Sequence, residues 1–219
     1  GEDADTLYFN VHKAEAGRIS SVNDITNWTG DGANRSVLAV QWVTGTEILN
    51  PADSEVFFRA WGYRWADGEE QTGLDMLKAV ATNDPRLFVI ITESDWGSSA
   101  SGFVYDGNGD GAFTLSNSTL TLTQADFTDG VYAGSTTESY DGMTVSDGDY
   151  WIGGFMEAFT CYWNADMTAQ LPESFSESML MMNTRILTDN SWDAWTLSVY
   201  DPENPVNPQP KLYLLEAAE

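Results

Sequence analysis

The run Asp106-Gly107-Asn108-Gly109-Asp110-Gly111-Ala112-Phe113 sets three oxygen-bearing side chains at alternate positions and a glycine at the sixth. This is the opening of a calcium loop, D-x-N-x-D-G, in which hard oxygens gather round a cation and the glycine makes the tight turn. Asp106, Asn108 and Asp110 are candidate ligands, with Asn117 at the twelfth position, where a full EF-hand has a bidentate glutamate. Three oxygen ligands within five residues repel one another unless a cation offsets them, which favours a metal. The same residues also spell an ordinary Asp/Asn/Gly hairpin turn. The flanks, Phe103-Val104-Tyr105 and Leu120-Thr121-Leu122, read as strands where an EF-hand has helices.

Catalytic constellations are missing by residue type. The sole histidine is His12, and no G-x-S-x-G elbow accompanies it. The single cysteine, Cys161, lies among Phe159, Thr160, Tyr162 and Trp163 and reads as a small buried hydrophobe. The acidic residues are spread over nearly every loop, without a pair placed like the two carboxylates of a glycosidase. No zinc spacing and no phosphate-binding glycine motif occurs. The chain is therefore expected to be non-enzymatic.

Aromatic residues remain, in three groups: 61–65, 150–163 and 192–195. Indole and phenol rings offer rigid contact area with a polar handle, so they suit sugars and flat ligands as well as cores. Trp192 and Trp195 lie three positions apart, an odd spacing, and cannot share one face of a strand, so one is expected in the core and the other outside. Trp65, Trp151, Trp192 and Trp195 are the candidate ligand anchors, with core packing as the competing reading of each. Met179-Leu180-Met181-Met182 adds a soft, adaptable patch.

The elements that must position these residues are mostly strands. Candidates are 6–11, 35–43, 55–65, 87–92, 101–105, 112–115, 119–123, 151–163, 180–187 and 192–199, with a last apolar strand at Leu212-Tyr213-Leu214-Leu215. In 55–65, Phe57, Arg59, Trp61, Tyr63 and Trp65 alternate against Val56, Phe58, Ala60 and Arg64. Leu87-Phe88-Val89-Ile90-Ile91 is continuously apolar, as in a central strand buried on both faces. Asp-Gly and Asn-Gly pairs at 67, 108, 110, 129, 141 and 147 mark turns. One segment breaks the pattern: apolar residues at 74, 77, 80 and 81 predict a helix over about 73–82, opened by Thr72 with Asp75 and stopped before Pro85. The expected fold is mainly β, a sandwich-like single domain over 1–219 with one short packed helix. A Pro-rich extended segment, 201–210, precedes the last strand.

Composition bounds the partners. With 42% hydrophobic and 13% aromatic residues, the 219-residue chain can bury a large core. Its 9 basic and 34 acidic residues give a net charge of −25, which repels phosphate backbones and anionic lipid, so no nucleic-acid partner is expected. No run is long and apolar enough for a transmembrane segment. The acidity and the abundance of Asp, Gly, Ser, Thr and Trp point to an exported bacterial protein, and the Gly1-Glu2-Asp3 opening reads as a mature or trimmed end.

Phe58-Arg59-Ala60-Trp61-Gly62-Tyr63-Arg64-Trp65, Thr72-Gly73-Leu74-Asp75-Met76-Leu77-Lys78-Ala79 and Asp84-Pro85-Arg86-Leu87 follow one another as a "GYRW" strand, a "TG-x-D-M-L-x-A" helix and a "DPRL" turn. With Tyr150-Trp151 and the closing 187–195 segment, this order resembles exported surface lipoproteins of Bacteroidetes, some of which accompany outer-membrane vitamin B12 uptake systems. The resemblance spans roughly 36–199, and the calcium-loop-like stretch at 106–117 departs from it. The closing segment is also similar to the tryptophan-bearing β unit that covers the corrinoid in transcobalamins. What the resemblance implies is a cell-surface protein, lipid-anchored to the outer membrane through a removed N-terminal segment, that captures cobalamin or another corrinoid beside a transporter complex. A calcium-containing carbohydrate-binding module, with a glycan as ligand, and a structural or adhesive surface domain are the alternatives.

Overall fold

The computed structural model describes residues 17–200 and 207–219. The expected strand at 6–11, His12 and the first part of the Pro-rich segment lie outside the described residues. In chain order the first strands are β1 Trp28–Thr29, β2 Asn34–Val43, β3 Val56–Trp65, β4 Leu87–Ser94 and β5 Gly97–Tyr105. Then come β6 Thr114–Ser116, β7 Thr121–Thr123, β8 Val131–Gly134, β9 Thr144–Val145 and β10 Tyr150–Gly153. The last are β11 Ala158–Ala165, β12 Ser176–Glu177, β13 Ser191–Val199 and β14 Glu216–Ala217. Among the described residues one α-helix, α1 Gly73–Asn83, joins β3 to β4. The mainly β, sandwich-like fold with one short helix is therefore present.

Three sheets form. The largest runs β1-β3-β2-β13-β11-β12, with β14 added to β3; the second runs β10-β5-β4-β8; the third, small, runs β7-β6-β9. The period-2 alternation of β3 decides how the large sheet is buried. Trp61, Tyr63 and Trp65 face one core, where Leu38, Val40, Trp195 and Leu197 meet Leu87, Val89, Ile91 and Phe103 of the second sheet. Phe58 and Ala60 face the other, with Val37, Ala39, Trp163, Trp192 and Ala194, beneath Ile19, Val22, Phe175 and Leu215. The continuous apolar run of β4 is central, between β5 and β8, as expected. Its odd residues enter the first core, and Phe88 and Ile90 pack against Phe113, Leu115 and Tyr140 under the third sheet.

α1 begins and ends where its sequence says it should. Thr72 Oγ1 accepts from the Asp75 N–H at 3.2 Å, and Asp75 Oδ2 accepts from the Thr72 N–H at 2.9 Å, a reciprocal capping box. Met76, Leu77, Val80 and Ala81 are buried against the first core. At the far end, Asp84 is buried and takes the Trp61 indole N–H at 2.6 Å and the Arg86 N–H at 2.9 Å. That ties the Asp-Pro turn to β3, which explains why "GYRW" and "DPRL" belong together.

Three expected strands differ. The 151–163 span breaks into β10 and β11, because Gly154 adopts φ +145 and the Asp141 carboxylate gathers the N–H groups of Phe155, Met156 and Glu157 into a turn. The 180–187 span forms no strand. Met181 O accepts from the Thr184 and Arg185 N–H groups in a tight turn, and Met182 O and Arg185 O accept from Leu74 and Gly73, the free donors that start α1. Leu212–Leu214 is a 3-10 turn that drops Leu215 into the core, and the strand pairing falls to β14 just after it.

Because the capping box satisfies two helix donors, Thr72→Ala is expected to cost about 1 kcal/mol. Urea midpoints of wild type and variant at unchanged slope measure it.

Candidate functional site

The acidic loop closes on itself. Asp106 is buried, its Oδ1 accepting from the Gly109 N–H at 2.7 Å and its Oδ2 from the Gly111 N–H at 2.9 Å. Asn108 and Asp110 each accept, at 2.9 Å, from the N–H two residues on. Asn117 does not join them. Its Nδ2 donates to Ser139 O and Asp141 O, and its Oδ1 accepts from the Thr119 and Leu120 N–H groups, so it caps the β6–β7 turn and is corrected as a ligand of this loop. Asp149 comes in instead. Its Oδ1 accepts from the Gly107 N–H at 3.2 Å, while its Oδ2 is buried without a partner. Burial pushes the Asp149 carboxyl up, and the charges of Asp106 and Asp110 add to the rise. The Asp147-Gly148-Asp149 repeat of the Asp-Gly spacing was the sequence signal for it. Among the described residues, no three His, Cys, Asp or Glu side chains converge as a ready metal centre.

The four candidate tryptophans are not exposed anchors. Trp65 is buried and stacks on Tyr63 at 5.8 Å. Trp192 is fully buried on the far face of the large sheet, its indole N–H on Thr168 O at 2.7 Å. Trp195 is buried on the near face, so both residues of the odd-spaced pair are core, because this sheet is covered on both sides. Trp151 is half-buried over Gly102 and Gly153, whose missing side chains make room for its ring. Cys161 is buried, and burial pushes its thiol up to about 12, which leaves it protonated and unreactive.

One of the four still meets open space. Trp195 floors a cavity of about 140 Å³ with Tyr162, Thr160, Ser98, Met181 and Met182 around it. β11 places Tyr162 directly opposite Trp195, and the two rings stack with centroids 4.5 Å apart and planes 13° off parallel. Segment 178–183 forms the rim. The Ser178 N–H donates to Tyr162 O at 2.7 Å, and Asn183 Oδ1 accepts from the Ser98 N–H at 3.0 Å. On this rim Met179 is 94% exposed and Leu180, which lines the cavity, 51%.

Beside this rim stands the β4–β5 hairpin tip, where Trp96 is 88% exposed. Ser94 Oγ accepts from the Trp96 N–H at 3.2 Å and donates to Gly97 O at 3.0 Å, and Gly97 takes φ +127, where an added Cβ would collide with Asn183 Oδ1 and crowd Met181. The tip is therefore braced, and its indole borders an open hollow of about 440 Å³ with Glu93, Asp95 and Thr136. A tryptophan inside Ser94-Asp95-Trp96-Gly97, between two strands, must lie at a turn, and that was the signal by which Trp96 could have been read from sequence. The two hollows share no lining residue, but an exposed indole at one and a stacked aromatic pair with thioethers at the other are each surfaces that can hold a flat or ring-bearing small molecule.

No protein-family model, curated protein or solved structure matches this chain.

Trp96→Ala is expected to change unfolding free energy by less than about 0.5 kcal/mol, since it removes only exposed surface. Trp195→Ala is expected to lose about 3–5 kcal/mol. Paired denaturant titrations of the two variants give both numbers.

Proposed function

We propose that this chain is a non-enzymatic surface protein that binds a ring-bearing small molecule at the Trp96 corner, with cobalamin or another corrinoid as the ligand. The observation that carries the reading is Trp96, an almost fully exposed indole on a braced hairpin tip, beside the Tyr162–Trp195 pocket. Large exposed aromatics on loops held by rigid strands are where a β scaffold carries recognition. The corrinoid itself comes from the resemblance of the 58–87 and 187–195 segments to B12-uptake accessory lipoproteins, as do the outer-membrane transporter as partner and the cell surface as location. A 140 Å³ pocket lies below the ~300–1,000 Å³ that encloses a drug-sized ligand. A corrinoid would therefore be covered on one face, with a single substituent entering the pocket.

Glu93, Asp95 and Thr136 around the same indole favour a second occupant, a glycan, whose hydroxyls those groups would bind while a sugar ring lies on Trp96. Calorimetry and absorbance with cyanocobalamin, and affinity electrophoresis on a polysaccharide panel, separate the two. Wild type is expected to bind cyanocobalamin, and Trp96→Ala to lose ~2 kcal/mol or more, roughly 30-fold in affinity, with its melting temperature intact. Binding of a glycan with no corrinoid affinity moves the function to the second reading. Failure of both leaves a structural or adhesive domain.

We also propose calcium as a structural ion of the 106–110 loop, with Asp106, Asn108, Asp110 and Asp149 supplying oxygens; the three carboxylates do not converge in this structure, so the ion would have to draw them together. The unpartnered Asp149 Oδ2 supports it, since a buried carboxylate oxygen without a donor is costly and a cation would offset it. The oxygens of Asp106 each retain a lone pair beyond the N–H they accept. In chelator, Asp149→Asn is expected to melt above wild type. Calcium at ~100 Kd is expected to add about 2.7 kcal/mol to wild type and much less to the variant. An unchanged wild-type melting temperature in millimolar calcium reduces the loop to a turn.

A further inference from the structure

The aromatic wall of the pocket is held from behind by a buried polar chain. β13 turns Asp193 and Trp195 onto the same face of the large sheet, and β11 brings Tyr162 opposite Trp195. Stacking by itself leaves a phenol ring free to slide and rock, so its far end needs a tether. That tether is Asp193: its Oδ2 accepts from the Tyr162 hydroxyl, and its Oδ1 meets Arg185 Nη2 at 3.3 Å. Arg185 is in turn held by Asp166 Oδ1 at 2.6 Å. Asp193 has no exposed surface at all.

The start of α1 is built around this tether. A Cβ at Gly73 would collide with the Tyr162 hydroxyl and lie 3.1 Å from Asp193 Oδ2, so only a glycine lets the helix begin there. The groups facing Asp193 are few. α1 presents Gly73, β2 opposes it with Leu38, and β11 with Asn164 and Tyr162. Arg185 and Asp166 are the charged groups around it.

We propose that Asp193 is the positioning residue of the ligand pocket, holding the Tyr162 ring against Trp195, and that acidification releases this wall. The tether itself stands on geometry alone; its consequence for a ligand rests on the binding reading above. Burial pushes the Asp193 carboxyl up to about 6, against the pull of Arg185. Above that pH the group is an acceptor only, and it takes both the Tyr162 O–H and the Arg185 N–H. Below it, the acid is neutral, holds Arg185 only through a weaker uncharged acceptor, and carries an O–H that competes as a donor for the phenol oxygen. Arg185 is then left to Asp166, and the ring loses its charge-assisted anchor.

The effect on folding has the opposite sign to the effect on the pocket. The folded carboxyl titrates above its ordinary value of 3.8, so between about pH 4 and 6 the folded chain takes up a proton that the unfolded chain does not. This group therefore favours the fold as pH falls through 6, and its share of the stability declines as pH rises through 6. A loosening of the pocket near pH 6 is thus separable from acid unfolding.

The test begins without ligand. Near-ultraviolet circular dichroism of wild type, titrated from pH 7.5 to 5, is expected to show a one-proton change in the aromatic bands centred near 6, with the far-ultraviolet spectrum constant. Asp193→Asn is expected to abolish the change, and Arg185→Gln to move its midpoint upward, since the cation that favours the carboxylate is gone. A flat wild-type titration overturns the proposal, and so does a midpoint unmoved in Arg185→Gln. With cyanocobalamin as probe, wild-type affinity is expected to fall roughly tenfold by pH 5, the one-proton limit for a group titrating near 6, and to stay level in Asp193→Asn. If cyanocobalamin binds at no pH while the Asp193-dependent spectral change is present, the corrinoid reading fails and the positioning role stands.

Discussion

The centre of the large sheet is buried on both faces, and the elements around it accommodate that constraint. It is tightest in β13, all of whose residues from Ser191 to Ser198 are buried. The strand runs parallel to β2 and antiparallel to β11, so its backbone is paired on both edges. Its side chains alternate between two cores, Trp192 and Ala194 into one, Trp195 and Leu197 into the other. A strand in this position can carry polar groups only if each finds a partner, because an unpaired one would cost about 1–3 kcal/mol. Ser191 pairs with Ser36 at 2.8 Å, and Thr196 accepts from the Trp163 indole at 2.8 Å. Asp193 is the expensive member of the set, a carboxylate whose burial has to be met by Arg185 and Tyr162 together.

Covering a sheet twice uses up most of the chain. One face takes the second sheet and α1; the other takes irregular segments that bring in Ile19, Val22, Phe175 and Leu215. Several of the few cations act as clamps in this wrapping. Arg59 pairs with Glu216 at 2.5 Å to hold β14, and Lys211 pairs with Asp53 at 2.7 Å. Arg64 lies over Trp28 and Arg86 over Tyr105. The acidic excess therefore faces solvent with little local compensation, and what the two covers leave exposed is hairpin tips and corners.

The fold was legible where one element has one dominant signal. The alternation of β3, the unbroken apolar run of β4 and the Thr72–Asp75 cap each have a single physical reading, and each forms as read. Legibility ended where a residue's role depends on what covers it. Trp192 and Trp195 look the same from sequence as an inside–outside pair, and only the second cover on the sheet makes both of them core. The 180–187 run has strand composition, but its carbonyls are claimed by the first turn of α1, a demand that arises from the tertiary arrangement. The 106–110 loop was legible as a set of oxygens in a turn. Asn117 was misplaced because its side chain answers to Ser139 and Asp141, a contact across more than twenty residues.

The corner that carries Trp96 follows from the same constraint. A ligand site needs side chains held still before the ligand arrives, because ordering them on binding costs about 0.5–1.5 kcal/mol each. Segment 178–185 has no ladder to hold it, yet it is fixed at three places: Ser178 on β11, Asn183 on β5, and the Met182 and Arg185 carbonyls on the start of α1. The helix needs acceptors for its first donors and the segment needs donors for its carbonyls, so each is the other's cap. Gly73 is the point where this exchange touches the Tyr162–Asp193 tether. The positions of the rim, the helix start and the aromatic floor are thus one geometric problem with a shared solution. A substitution at Gly73 would be felt in the pocket although no part of that glycine lines it.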